Sequence, residues 1–159
     1  METKQLEKDF LNNWKQCNKV TVDILKSIPD NFYNKKPFGK RFTTFAWEFS
    51  CILTTREMYM KGLNKGELNG ETEQQPMSQV EKLTKNDLIK KLESTNKNIL
   101  KVINNNEIKG VKFFGNKTNK ISILSWLMQH EQLHYGKLMI YLAQIGIERP
   151  KSFKEMWGI

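Results

Sequence analysis

The stretch Leu124-Ser-Trp126-Leu-Met-Gln-His130-Glu131-Gln-Leu-His134-Tyr-Gly136-Lys-Leu138 decides how the rest of the chain is read. Extended on both sides, it places Ile123, Trp126, Leu127, His130, Leu133, His134, Leu138, Tyr141, Leu142 and Ile145 at helical spacing, a broad inward face. The spacing predicts a helix from Ser122 to the glycine at 146, and Pro150 blocks its continuation. Phe153 and Trp157 then suggest a tail folded back over the core. Inside the helix stand both histidines of the chain, four residues apart. Random placement would give that spacing about once in eighty trials, and a four-residue step sets two imidazoles on one helix face, within reach of one metal ion.

Three further segments share the helical period. Between about Lys4 and Ile28, residues Leu6, Phe10, Cys17, Val20, Ile24 and Ile28 form a stripe widened by Trp14 and Leu25, and Pro29-Asp30-Asn31 ends it. Thr43 or Thr44 caps a second helix bearing Phe45, Phe49, Ile52, Arg56 and Tyr59 on one face and ending near Gly62. Thr84-Lys-Asn-Asp87 resembles a capping box ahead of a third, near-heptad pattern of Leu88, Leu92, Thr95, Ile99 and Val102. Residues 63–83 are polar and too long for a tight turn, so they read as a crossover that leaves the second and third helices parallel. In 106–121, Val111-Lys-Phe-Phe-Gly115 either pairs as a short hairpin or covers one end of the core. With no firm strand pair, the expectation is an all-α four-helix bundle, one domain over 1–159.

Composition narrows the function classes. With 159 residues, 38% hydrophobic and 27% charged, the chain has a core to bury and is neither collagen-like nor a disordered low-complexity segment. Its net charge of +9 invites a nucleic-acid reading. Arginine occurs only at 41, 56 and 149, however, and the lysines are scattered instead of gathered in a block. Lysine lacks the planar fork that reads phosphate or guanine in two-point fashion. A solvated basic surface is the better account, and nucleic acid is disfavoured as a partner. The polar start Met1-Glu-Thr-Lys-Gln and the lack of a long apolar run argue against a signal peptide or membrane span. Cys17 and Cys51 make no close pair of the zinc-ribbon kind, so the expectation is a cytoplasmic protein with reduced thiols.

The chemistry centres on the histidines. His130-Glu131-x-x-His134 matches the zinc-peptidase pattern, but no third histidine follows and Glu148 and Glu155 lie beyond a glycine and a proline. A third ligand must come from another helix. Cys51 and Glu48, three apart on the second helix, share a sector that packing can turn toward His130 and His134. A Cys-His-His set with an open position suits a divalent metal such as zinc. Cys51 is read with equal weight as a small buried hydrophobe. Glu48 or Glu131 could take a proton from a metal-bound water or thiol; Glu131 stands about 100° around the helix from His130, so Glu48 is at least as well placed. Arg56 and Tyr59 either hold an anionic group of the substrate or, for Arg56, form a structural salt bridge.

The fourth-helix string, with Tyr141-Leu142, Gly146, Pro150 and the Trp157-Gly158 ending, resembles the DinB/YfiT-like family. The stretch Phe45-Ala-Trp47-Glu-Phe49-Ser-Cys51-Ile52 through Arg56-Glu57-Met-Tyr59 is similar to that family's second helix. The resemblance implies a bundle in up-down-down-up order, often dimeric, with a metal held by one histidine of the second helix and two of the fourth. The pair maps onto His130 and His134, and Cys51 stands where the family has its other histidine. Relatives include metal-dependent transferases that use low-molecular-weight thiols, and others described as hydrolases. The expected protein is thus a homodimeric enzyme that uses zinc or nickel on a small-molecule substrate. The alternative is a non-enzymatic dimer with a degenerate metal site that binds a small apolar ligand or a partner.

Overall fold

The computed structural model of the protein describes residues 2–39, 41–69 and 76–159. Four long helices dominate: α1 (Glu2–Ser27), α3 (Phe45–Lys65), α5 (Lys85–Asn104) and α6 (Lys120–Gln144). Short helices α2 (Asp30–Tyr33), α4 (Met77–Val80) and α7 (Lys151–Trp157) fill the connections. α3 and α1 each pack on both α5 and α6.

Two apolar clusters record how the helices run. The first combines Cys17, Ile24 and Ile28 of α1 with Phe45, Phe49 and Ile52 of α3, Leu88 and Leu92 of α5, and Leu138 and Leu142 of α6. The second takes the opposite ends: Phe10 and Trp14, Met60 and Leu63, Ile99 and Val102, Ile123 and Leu127. α7 lays Phe153 on the first cluster as expected of the tail, while Trp157 stays half exposed.

The helix boundaries follow from local chemistry. Thr44 Oγ1 accepts the Trp47 N–H at 3.0 Å and starts α3, and Thr84 Oγ1 accepts the Asp87 N–H at 3.1 Å and starts α5. α6 begins at Lys120, two residues before the expected Ser122, because the Asn119 side chain caps it by accepting the Ser122 N–H at 2.8 Å. α3 also outruns its expected end near Gly62. Gly62 is helical, and a Cβ there would come within 2.6 Å of Leu68 Cδ1, so it is a packing glycine. The helix stops at Gly66, which adopts φ +81° as a left-handed cap.

One difference from the all-α expectation stands out. Strands β2 (Gly110–Phe113) and β3 (Asn116–Asn119) form a hairpin, one of the two arrangements the sequence allows, and β1 (Glu67–Leu68) pairs parallel to β2. The fold is therefore mostly helical with a small three-stranded sheet. Within the crossover 63–83, residues 70–75 lie outside the described residues. The inward face of α6 is also narrower than its hydrophobic pattern suggests: Trp126 and Leu133 are 39% and 73% exposed and form a stripe at seven-residue spacing with Ile140, 54% exposed. Among the described residues, no helix is long and apolar enough to cross a membrane.

Candidate metal centre

The caps of α3 and α6 fix where the site residues fall. Starting α3 at Phe45 puts Glu48 in its first turn and Cys51 one turn on, both toward α6. On α6, His130 and His134 occupy the edge of the buried face, His134 buried and His130 partly so. His130 Nε2 lies 3.2 Å from His134 Nε2 and 3.7 Å from Cys51 Sγ. The three ligand atoms all fall within 4.8 Å of one another. A tetrahedral zinc with bonds of about 2.05 Å to nitrogen and 2.3 Å to sulfur spaces its ligands about 3.3 Å (N to N) and about 3.6 Å (S to N) apart. The His130–His134 and His130–Cys51 spacings match that donor set, and Cys51 and His134 lie within 4.8 Å of each other.

Glu48 stands behind this group. Its Oε2 meets His134 Nδ1 at 2.5 Å, on the far side of the ring from Nε2. Its other oxygen accepts from the Thr43 hydroxyl and from Tyr141 at 3.3 Å, and Lys137 Nζ lies 3.6 Å from Oε2. Burial alone would raise the Glu48 pKa, but the hydrogen bonds from His134 and Thr43 and the positive charges of His134 and Lys137 hold it below the ordinary value. Burial likewise opposes charge on His134 and Cys51, and here too the neighbours win. Hydrogen bonds and charge from Cys51 and Glu48 raise His134 to about 9. Hydrogen bonds and charge from the two histidines lower Cys51 to about 6. Without metal, the cluster thus favours a thiolate beside an imidazolium. That same thiolate is the form that binds metal.

Glu131 is elsewhere. Both its oxygens are fully buried in a two-point ion pair with Arg56, at 2.6 and 2.7 Å, and Oε2 also accepts from Thr21 at 2.6 Å. Its hydrogen-bond partners are Arg56, Thr21 and Cys17, none of them a member of the cluster, so the structure lends no support to the general-base role expected of it. For Arg56, the salt-bridge reading holds over the substrate-anchor one. Tyr59 packs at the edge of the second apolar cluster. Of the residues singled out from sequence, the structure brings together Cys51, His130, His134 and Glu48. It adds Thr43, Lys137 and Tyr141 around Glu48. Lys137 and Tyr141 were readable in principle, three and seven residues after His134 on one helix side, whereas Thr43 is a loop residue with no periodic signal. A cavity of about 730 Å³ beside Leu6, Ile108 and Ile121 holds none of these groups.

The comparisons with known proteins agree with the mostly helical fold. A family model described as the DinB family matches residues 1–155. The chain is similar in structure to a DinB-like protein from Bacillus subtilis, with a TM-score of 0.70 and 20% identity over 89% of this chain and 94% of that one. It is similar also to a DinB-like protein from Bacillus cereus ATCC 10987, with a TM-score of 0.68 and 16% identity over 90% and 95% of the two chains. At these identities the likeness is one of fold. No curated protein sequence matches this chain.

Proposed function

Because the chain belongs to the DinB family, we propose that it is a metal-dependent enzyme that holds a divalent cation, zinc or nickel, on Cys51, His130 and His134. The observation that carries this reading is the convergence of one thiol and two imidazole nitrogens within 4.8 Å of one another, with His130 at the spacings a tetrahedral ion requires from both Cys51 and His134. A cation held by these three residues would have room for a further ligand and would lower the pKa of a bound water or thiol. The reaction class is transfer to a low-molecular-weight thiol or hydrolysis of a small molecule. Glu48 orients His134 through Nδ1 and fixes its tautomer, the usual task of a carboxylate behind a ligating imidazole. The helix ends gathered in each apolar cluster support an up-down-down-up bundle. The exposed stripe of Trp126, Leu133 and Ile140 supports a homodimer.

Metal analysis of protein purified without a chelating tag or column tests the reading. One equivalent of zinc or nickel, lost in Cys51→Ala, is the expected result. Protein that stays metal-free after incubation with either ion overturns it. The second reading, a non-enzymatic dimer with a degenerate site, is favoured by cysteine in place of the family's histidine and by a cluster that already balances its own charge. It predicts dimers in sedimentation whether or not metal is added.

A further inference from the structure

Behind the ligand cluster, the four long helices meet in one buried polar knot. Arg56 of α3 and Glu131 of α6 face each other fork to fork, with Nε 2.6 Å from Oε1 and Nη2 2.7 Å from Oε2. Arg56 Nη1 donates to Asn18 Oδ1 of α1 at 2.8 Å and to the Leu92 carbonyl of α5 at 3.3 Å. Thr21 of α1 donates to Glu131 Oε2 at 2.6 Å, and the Trp14 ring lies 5.0 Å from the guanidinium carbon. Both charged side chains are wholly removed from solvent.

Stability is a weak reason for such a pair. Desolvating two charges is costly, and well-packed apolar residues in their place are often neutral or stabilising. What apolar contacts lack is direction. Phe49, Ile52, Leu127 and Leu138 bury area whether α6 sits at one height on α3 or slightly higher, whereas a two-point fork with satisfied outer hydrogen bonds holds at one height only. Its partners are well placed to matter. Arg56 lies five residues beyond Cys51 on α3, and Glu131 adjoins His130 on α6. A slip of α6 by a single residue rise, about 1.5 Å, would break the fork. It would also carry both Nε2 atoms outside the roughly 0.2 Å tolerance of metal–ligand distances.

We propose that the Arg56–Glu131 pair is the positioning element of the metal centre, locking α3 against α6 so that Cys51, His130 and His134 converge. The proposal rests on the reading that these three residues hold a metal. Arg56 and Glu131 act through their helices, not by contact with the ion.

The test compares wild type with the double variant Arg56→Met/Glu131→Leu and with Glu131→Gln. Three quantities are measured: zinc affinity by competition with a chromophoric chelator, the visible absorption of the cobalt(II)-loaded protein, and thermal unfolding of the metal-free protein. The expected result is a double variant that melts near or above wild type while binding zinc at least about tenfold more weakly, with a changed cobalt spectrum. A folded variant with wild-type zinc affinity and cobalt spectrum overturns the proposal, as does an affinity lost only in proportion to the unfolded fraction. If the double variant does not fold, Glu131→Gln and Arg56→Lys carry the comparison by the same criteria. Wild type that binds no zinc fails the metal reading instead. In that event, the His130 and His134 ring resonances of metal-free protein decide: shifts in the folded variants support the clamp, and unchanged ring signals overturn it.

Discussion

His134 Nδ1 lies 2.5 Å from Glu48 Oε2, and this contact determines which face of the imidazole is left for chemistry. With Nδ1 committed to the carboxylate, Nε2 is the atom turned toward His130. Thr43, Tyr141 and Lys137 hold Glu48 in turn, so the ring is oriented by a shell of side chains around the carboxylate. A ligating histidine depends on such a carboxylate for tautomer, orientation and basicity.

Glu48→Gln therefore weakens zinc binding by about 10–100-fold while leaving the helical fold intact. The amide keeps the shape of the carboxylate but removes the charge that supports His134. Competition titration gives the affinity, and circular dichroism checks the fold. Affinity equal to wild type would show that Glu48 serves the bundle and not the site.

The two cysteines separate by reactivity. Cys51 is part-exposed with a thiol lowered to about 6, whereas burial pushes the Cys17 thiol far up and leaves it without solvent contact. Iodoacetamide should label metal-free native protein once, at Cys51, with a rate that climbs through about pH 6 and levels off by neutrality. Zinc at saturation should slow the reaction. A rate midpoint near 9, or equal labelling of both cysteines read by mass spectrometry, would contradict the thiolate.

What the sequence reveals divides along the range of the forces involved. Caps at Thr44 and Thr84 and the run of α6 are local, set by hydroxyls at helix starts and a period of 3.6, and were legible. So was the histidine pair, because two residues on one helix need no tertiary information. Gly62 misled because its purpose is the close approach of Leu68, visible only once β1 is in place. β1 itself is two residues long and exists by pairing with β2, a contact more than forty residues away. Glu131 could be seen to leave the histidine face by its 100° offset. Its partner Arg56 lies 75 positions away, and no local pattern could name it. Cys51 fell between these cases, since the helix sector was readable and the facing of α3 toward α6 was not.

The raised His134 and the lowered Cys51 each stabilise the fold, but the pH dependences of their contributions are opposite and nearly cancel. His134, at about 9 in the fold against an ordinary 6.5, adds stability that is complete below pH 6.5 and lost as pH rises through 9. Cys51, at about 6 against 9.0, adds stability that is complete above 9 and lost as pH falls through 6. Between about 6.5 and 9, one gain offsets the other loss. Urea unfolding of metal-free wild type should thus show little slope from this cluster in that window. In Cys51→Ala, Glu48 still favours charged His134, so the variant loses stability as pH rises. Matching slopes in the two proteins would sink this account.

The hairpin carries a strain that can be relieved. Phe113 pairs with Asn116, which leaves Phe114-Gly115 as a two-residue loop with φ of 45° and 81°, the signs of a type I′ turn. Glycine adopts that region freely and asparagine tolerates it, but an aromatic residue does so at a cost from Cβ crowding. Phe114 recovers little by burial, being 61% exposed with its ring against Phe113 at 4.7 Å. Phe114→Asn is expected to stabilise the fold by about 0.5–1 kcal/mol, or roughly 1–4 °C in Tm for a chain of this size. Gly115→Ala, which puts a Cβ at the more positive φ, should move Tm the other way. A lower Tm for Phe114→Asn would mean that the contact with Phe113 outweighs the backbone strain and that the aromatic residue is there to hold the tip of the sheet.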